Sequence, residues 1–337
     1  MDDAPGSIGP PGRRPPTPLP LAVNLMPDGP VGRVAELARL AEANGAARCF
    51  VYDEGLHTRD VYVTLAAVAA TTERVGLGPG ITNPFVRHPG ATASAIATLD
   101  EASGGRAVLG LGAGGGLTLG PLAIERRRPV TAIEEMVRTL RRLFAGERVD
   151  HDGHAFSFAG AELHYGRADV DIVLAGRGPR MLDLGGRLAD GFNLSWVHRD
   201  LLAGHVRDLR TAAGDRPVRV GYSTMLVTTD ADLDAARAQL TFRLVDSPEE
   251  VRERLGLGPD RVAAIRLALG EGGPPAAANH VDPDWVSAFA IVGTADECGT
   301  ELRRRLDDHG IDEYQLALPS VEGAGQRIEQ VAAMLGR

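Results

Sequence analysis

The chain has 337 residues, of which 44% are hydrophobic, so it is long enough for two ordinary domains or for one α/β barrel. Its formal net charge of −9, without a basic cluster, argues against nucleic-acid binding. No apolar run approaches the roughly 20 residues of a membrane span. The only cysteines, Cys49 and Cys298, match neither a disulfide framework nor a zinc site, which is typical of a cytoplasmic protein.

The first 18 residues are rich in proline and glycine and predict a disordered tail. This segment lacks the apolar core of a signal peptide. No further linker-like stretch divides the chain, so we expect a single domain over residues 19–337.

Short apolar segments alternate with amphipathic ones along the whole chain. Most of the short segments are continuously apolar, as is typical of strands buried on both faces. The strands are predicted at residues 21–25, 48–53, 74–82, 106–112, 171–176, 191–196, 218–227 and 313–319. Helices are predicted at residues 31–45, 60–73, 91–103, 130–145, 179–189, 199–213, 295–309 and 322–335.

Eight strands that alternate with helices predict a (β/α)8 TIM barrel, with a doubly wound sheet as the structural alternative. Two segments are longer than the connections of a minimal barrel and are therefore insertions. Residues 113–170, after strand four, are predicted to contain a hairpin at 147–158, and residues 230–292, after strand seven, are predicted to contain extra helices. We expect both insertions to shape the mouth of a substrate site.

The segment "VYDEG" places Asp53 and Glu54 at the end of predicted strand two. Barrel active sites lie at the carboxyl ends of the strands, so polar residues there indicate function. Asp53 could hydrogen-bond to a cofactor ring, and Glu54 could be an acid or a base. The alternative is a carboxylate that caps a helix.

The next strand, within "VGLGPGITNPFVRHPG" at residues 75–90, contains glycine and proline where a strand should be strongest. One explanation is a flat ligand that lies against bare backbone. His88, just before a helix, is predicted to be structural rather than catalytic. A pair between Arg87 and Asp100 or Glu101 is one possibility.

Glycines in "RAVLGLGAGGG" have the spacing of a dinucleotide-binding fingerprint, at Gly110, Gly112 and Gly115. The fingerprint requires a helix directly afterwards, and the segment that follows is broken by glycine and proline. We therefore favour a fourth barrel strand that ends in a small-residue loop. Such a loop, which includes Gly112, leaves room for a ligand.

The segment "LAGRGPRM" predicts a strand, a tight turn and a helix whose first turn contains Pro179. Backbone N–H groups at such a helix start can bind an anion. Arg177 or Arg180 could add positive charge. An ordinary strand–helix turn is an equal alternative. The candidate anion-binding residues are Gly176, Arg177, Gly178, Pro179, Arg180 and Met181.

Three stretches, at residues 76–114, 174–196 and 282–297, resemble the bacterial-luciferase-like superfamily. Within it, they are most similar to the coenzyme F420-dependent methylenetetrahydromethanopterin reductases. The resemblance covers residues 21–335 and implies an oxidoreductase that binds a flavin or deazaflavin at the carboxyl end of the barrel. It also implies a homodimer or a dimer of dimers.

The resemblance further implies where the cofactor binds. A non-prolyl cis peptide at Gly80–Ile81 would form a bulge behind the ring, and Asp53, Thr82 and Asn83 would contact the ring. Residues 176–181 would bind the cofactor phosphate.

Two positions depart from the pattern of the reductases. Asn24 stands where they carry an acid, and Glu54 stands where relatives usually have histidine after the strand-two aspartate. Asparagine hydrogen-bonds but cannot supply a proton as an acid does. We therefore expect Glu54 to transfer the proton, with Asp53 beside it, and Asn24 to orient the substrate.

The sequence thus predicts hydride transfer between coenzyme F420 and a small organic substrate, with pterin-like compounds among the candidates. One alternative is a monooxygenase that uses reduced FMN from a partner flavin reductase. Another is a catalytically degenerate paralogue that still binds the cofactor. A Rossmann dehydrogenase that binds NAD(P)H is a more distant alternative.

Overall fold

The computed structural model describes residues 20–336, so the tail predicted for residues 1–18 lies outside the described residues. Within the described part, the strands are β1 (Leu21–Leu25), β2 (Ala46–Val51), β3 (Gly76–Pro79), β4 (Val108–Leu111), β5 (Val149–Asp152), β6 (Ser157–Ala161), β7 (Asp171–Ala175), β8 (Gly191–Ser195), β9 (Arg219–Ser223), β10 (Leu226–Val227), β11 (Ile291–Val292) and β12 (Glu313–Leu318).

The helices surround the strands and connect them. They are α1 (Val31–Ala43), α2 (Val61–Thr71), α3 (Pro89–Ser103), α4 (Gly116–Leu119), α5 (Pro129–Phe144), α6 (Pro179–Leu188), α7 (Arg199–Ala213), α8 (Asp230–Val245), α9 (Glu249–Leu255), α10 (Pro259–Ala277), α11 (Pro283–Phe289), α12 (Ala295–His309) and α13 (Ala324–Met334). Short 3₁₀ turns occupy Gly55–His57 and Ala278–His280.

Eight parallel strands form the barrel, in the order β3-β2-β1-β12-β9-β8-β7-β4. Parallel bridges from Leu77 to Ala107 and from Thr82 to Leu111 join β3 to β4 and close the ring. The predicted TIM barrel is confirmed, each of the eight predicted strands contributes a barrel strand, and the doubly wound alternative is wrong.

Both predicted insertions are present. After β4, the chain forms α4, α5 and the antiparallel hairpin of β5 and β6. After β9, helices α8 to α11 pack around an apolar cluster of their own, separate from the main barrel core. Trp196, which follows β8, belongs to this second cluster. The second insertion therefore lies against the carboxyl end of β8.

Local sequence signals account for the limits of helix α12. The Thr294 hydroxyl accepts a hydrogen bond from the backbone N–H of Glu297, whose carboxylate accepts one from the N–H of Thr294. At the other end, Gly310 has φ 60°, which glycine adopts without steric cost. These caps place the helix at the predicted residues 295–309.

Glu42 near the end of α1 fixes the chain as it enters β3. Its buried carboxylate accepts backbone hydrogen bonds from Glu73 at 3.1 Å, Arg74 at 2.6 Å and Val75 at 2.9 Å. Burial raises the pKa of this carboxyl, but the three hydrogen bonds together outweigh burial and hold the pKa below its ordinary value.

Glu42→Gln should therefore destabilise the fold at neutral pH, by about 1–3 kcal/mol, because an amide cannot accept all three bonds equally well. A lowered folded-state pKa gives stability that is present above the unfolded pKa, near 4.3, and is lost as pH falls through the folded value. The difference between variant and wild type, measured by urea unfolding, should shrink below about pH 4. Glu36→Gln, on the exposed face of the same helix, is the control. An equal loss in both variants would contradict this role.

The glycines of β3 and β4 are explained by close approach of the two backbones. A Cβ atom on Gly78 would overlap the carbonyl oxygen of Val108, and one on Gly110 would overlap that of Pro79. Gly78 and Gly110 are thus required by packing within the barrel wall. The close approach of β4 accounts for Gly78 without a ligand.

Candidate active site

A bulge follows β3, and its Gly80–Ile81 peptide is cis, as the resemblance implied. Neighbouring strands hold the bulge on both sides. The Gly80 N–H donates to Val51 O at 2.7 Å, and the Asn24 side-chain amide of β1 donates to Gly80 O. On the other side, the Thr82 N–H donates to Gly110 O at 3.0 Å.

Small residues are required around this bulge. A Cβ on Gly80 would lie 2.5 Å from Phe50 Cβ and 2.8 Å from Asn24 Oδ1. A Cβ on Gly112 would overlap the end of the Ile81 side chain. Gly112 is therefore placed against the bulge, and its direct contact with a cofactor stays a prediction.

Asn24 is 5% exposed, and its Oδ1 is a buried acceptor without a hydrogen-bond partner among the described residues. An unsatisfied buried polar atom costs free energy unless something binds it. The amide nitrogen holds the bulge, so the oxygen is the atom left to bind a ligand. Orientation of the substrate by Asn24 stays a prediction.

Asp53 follows β2 and is joined to the bulge by the Thr82 hydroxyl, which donates to Asp53 Oδ2 at 2.6 Å. Burial raises the pKa of this carboxyl, and hydrogen bonds from Thr82 and the Gly55 backbone oppose that effect only in part. Thr82 and Asn83 are buried, and Asn83 Oδ1 accepts backbone bonds that shape the next turn. The sequence-predicted ring contacts Asp53, Thr82 and Asn83 thus lie together.

Glu54, the next residue, points to the first insertion. Its Oε2 accepts a 2.8 Å hydrogen bond from the hydroxyl of Thr118 on α4. Burial raises the pKa of Glu54, and the neighbouring Asp53 charge raises it further. A carboxyl group with a raised pKa stays protonated at higher pH, which is what a proton donor requires.

The predicted anion-binding turn has the expected geometry. Helix α6 begins at Pro179 with Gly178 as its N-cap, directly after β7. A Cβ on Gly178 would meet nothing within 4 Å, while Gly176 packs against Met181. Arg180 is exposed, and the Arg177 carbonyl lies 3.0 Å from His205 Nε2. Phosphate binding by these residues stays a prediction.

A comparison with known protein families identifies the chain. Residues 16–313 match the family model described as luciferase-like monooxygenase. The chain belongs to this family. The resemblance seen in the sequence is confirmed, and the protein is an oxidoreductase of the luciferase-like kind.

Individual relatives narrow the comparison. The chain is 34% identical to the 5,10-methylenetetrahydromethanopterin reductase of Methanolobus tindarius over 85% of this chain and 90% of that protein. It is 33% identical to the F420-dependent glucose-6-phosphate dehydrogenase of Nakamurella multipartita over 62% of this chain and 67% of that protein. Among solved structures, the coenzyme F420-dependent tetrahydromethanopterin reductase of Methanopyrus kandleri superposes with a TM-score of 0.81, at 27% identity, over 94% of this chain and 98% of that one.

Two residues of this luciferase-like protein that sequence reasoning missed lie at the same end of the barrel. Thr118 comes from α4 and Arg243 from α8, both within the insertions. Arg243 Nη2 is 3.4 Å from the Ser195 hydroxyl at the end of β8. No strand or motif in the sequence marks these residues, because only the packing of the insertions brings them to the mouth.

His88 is structural, as predicted: its Nδ1 accepts the N–H of Gly90 at 3.1 Å and so caps α3. The suggested pair between Arg87 and Asp100 or Glu101 is wrong. Asp100 instead binds Arg167 at 2.9 Å, and the Arg87 guanidinium lies over the Tyr62 ring, 4.5 Å from its centroid.

Among residues 20–336, no group of three or more metal-binding side chains is placed to hold a metal ion. A search of the same residues finds no helix long and apolar enough to cross a membrane.

Proposed function

We propose that the protein transfers a hydride between coenzyme F420 and a small organic substrate, with pterin-like compounds as the first candidates. The observation that carries the proposal is the bare-backbone bulge at Gly80–Ile81, to which Thr82 joins the carboxyl group of Asp53, whose pKa is raised. Glu54, the next residue, also has a raised pKa. Two of the relatives are F420-dependent enzymes by name, which favours the deazaflavin F420 over FMN as the cofactor.

The residues at the bulge fit a flat ring. Only glycine is accommodated at position 80, so no side chain covers the bulge there. Asn24 Oδ1 lacks a protein partner among the described residues. The hydroxyl of Thr82 and the carboxyl of Asp53 supply polar atoms at the same edge.

We assign roles to the chain's own groups accordingly. Bound F420 would supply the hydride. Asp53, Thr82 and Asn83 would hold the ring, and backbone N–H groups of residues 176–181 would hold the phosphate. Glu54, held by Thr118, would give its proton to the basic atom of the substrate that accepts it.

Fluorescence titration with F420 and, separately, with FMN tests the proposal first. We expect tight F420 binding, weak FMN binding, and anaerobic turnover of reduced F420 with a substrate from a panel of methylene-pterins, sugar phosphates and ketones. Oxygen consumption with reduced FMN would instead support the monooxygenase. Binding without turnover across the panel would support a degenerate paralogue, and binding of neither cofactor would overturn the proposal.

We further propose that residues 19–337 act as one domain, in the cytoplasm, as a homodimer or a dimer of dimers. Light scattering of the purified protein measures the oligomeric state directly, and a monomer over a range of concentrations would contradict this part.

A further inference from the structure

Two half-buried arginines at the mouth of the barrel are not in an ion pair with any described residue, unlike Arg141 and Arg219, which are half-buried as well. Arg141 lies 2.7 Å from Asp190, and Arg219 lies 2.8 Å from Asp171. By contrast, neither Arg177 nor Arg243 has a carboxylate oxygen within 4.0 Å among the described residues, although both are half-buried. The charge of Asp246 acts on both guanidinium groups, but no carboxylate among the described residues is in direct contact with either.

The position of Arg243 is over the open end of the barrel. It reaches from α8 to Ser195 at the carboxyl end of β8, 3.4 Å away. In the closed ring of eight strands, β8 lies four strands from β2 and therefore opposite it. The charge of Arg243 nevertheless acts on Tyr52 and Glu54 at the carboxyl end of β2. The guanidinium thus lies between the two sides of the mouth.

Arg177 is near enough to Arg243 for their charges to interact. It follows β7, which pairs with β8 through Ala175 and Asn193. Burial and the charge of Arg177 lower the pKa of Arg243 to about 9, against the opposing effects of Tyr52, Asp246 and Glu54. Burial likewise lowers the pKa of Arg177. Two like charges held close together away from water destabilise a fold, unless an anion binds between them.

We infer that Arg177 and Arg243 together bind an oxyanion of the substrate, either a phosphate or a carboxylate. Guanidinium groups suit this role because their planar fork donates two parallel hydrogen bonds to such a group. The inference deepens the proposed function and rests on it for the identity of the reaction. It predicts that good substrates are anionic small molecules and that neutral ketones or alcohols of similar shape are poor ones.

The substrate is a better source of the oxyanion than the cofactor for two reasons. Arg243 belongs to the second insertion and its charge acts on Glu54, the proposed proton donor, so an anion there is near the reacting end of a substrate. The cofactor phosphate already has a candidate site in the backbone N–H groups at the start of α6.

Binding of inorganic phosphate to the F420-loaded enzyme, measured by titration calorimetry, tests the site. Arg243→Gln and Arg177→Gln should each weaken phosphate binding about tenfold or more, and Arg243→Lys should weaken it less, since charged hydrogen bonds contribute about 1.5–3 kcal/mol. Arg207→Gln removes an equal charge from the exposed face of α7 and should change the phosphate Kd less than about twofold. The F420 Kd should stay within a few-fold of wild type in both Arg243 variants and in Arg207→Gln. Arg177 belongs to the loop proposed for the cofactor phosphate, so its variant is compared for phosphate binding only.

Thermal unfolding separates this role from a structural one. Without ligand, Arg243→Gln should melt at the same temperature as wild type or higher, because it removes an unpaired buried charge. Saturating phosphate should raise the melting temperature of wild type more than that of the variant.

The outcomes are distinct. Unchanged phosphate affinity in Arg243→Gln, or a large fall in its melting temperature, would overturn the inference. Parallel loss of F420 and phosphate binding in Arg243→Gln would assign the arginines to the cofactor and also overturn it. Arginine-dependent phosphate binding in a protein that does not bind F420 would keep the anion site while removing the proposed function.

Discussion

Glu54→Gln is expected to lower kcat for F420-dependent reduction by about 10²–10⁴-fold, the usual contribution of a positioned general acid. Glutamine preserves the size of the side chain and can still accept the hydrogen bond from Thr118. It cannot donate a titratable proton. The cofactor Kd should therefore change little while turnover is lost.

The pH dependence of this variant follows from the raised pKa of Glu54. Turnover of wild type should fall as pH rises through that pKa. The residual turnover of Glu54→Gln should not show this fall. A raised folded-state pKa gives stability that is present below the unfolded pKa and lost as pH rises through the folded value. The variant should therefore be more stable than wild type at neutral pH, with the difference vanishing below about pH 4.

Steady-state kinetics and urea unfolding across the pH range check both expectations. Glu101→Gln, on the exposed side of α3, removes the same charge far from the mouth and serves as the control. Retention of wild-type kcat by Glu54→Gln would remove Glu54 from the proton-transfer step and would leave Asp53 as the acid to test next.

Gly78→Ala is expected to lower the free energy of unfolding by about 4 kcal/mol or more, which is a large effect for the addition of one methyl group. The added Cβ would overlap the carbonyl oxygen of Val108, and a backbone atom cannot move aside as a flexible side chain can. Relief would require β3 and β4 to separate, which would also displace the bulge at Gly80.

Gly115→Ala is the matched control for this substitution. Gly115 has φ −103°, and a Cβ there would meet nothing within 4 Å, so alanine should be neutral or slightly stabilising. Circular dichroism during thermal unfolding compares the two variants. Equal melting temperatures for both would show that β3 and β4 are not in the close contact seen here.

The barrel could be predicted from the sequence because each of its strands is a short, continuously apolar segment between amphipathic helices. Helix ends were predictable where a cap is visible in the sequence, as at Thr294 and Gly310. The helices of the second insertion, α8 to α11, could not be delimited. They bury a small cluster of their own, and α10 itself is kinked at Gly273, whose φ is 67°.

The candidate site was predictable only where it lies on barrel strands. Asp53, Thr82 and the Gly80–Ile81 bulge occupy strand ends, whose positions follow from the βα repeat. Thr118 and Arg243 come from insertions, and their approach to the mouth depends on tertiary packing that leaves no periodic signal. The pairing suggested for Arg87 failed for the same reason, because Asp100 has a stronger partner in Arg167, which lies 67 residues further along the chain.

The order of the strands also determines when the barrel can close as the chain is synthesised. Strand β12 lies between β1 and β9, so β1 has its second neighbour only after residues 313–318 have been made. Until then, the nascent chain exposes an unpaired apolar edge, which is the kind of surface that aggregates and that chaperones bind. Closure joins residues almost 300 positions apart, so folding should be slow and should wait for the final strand.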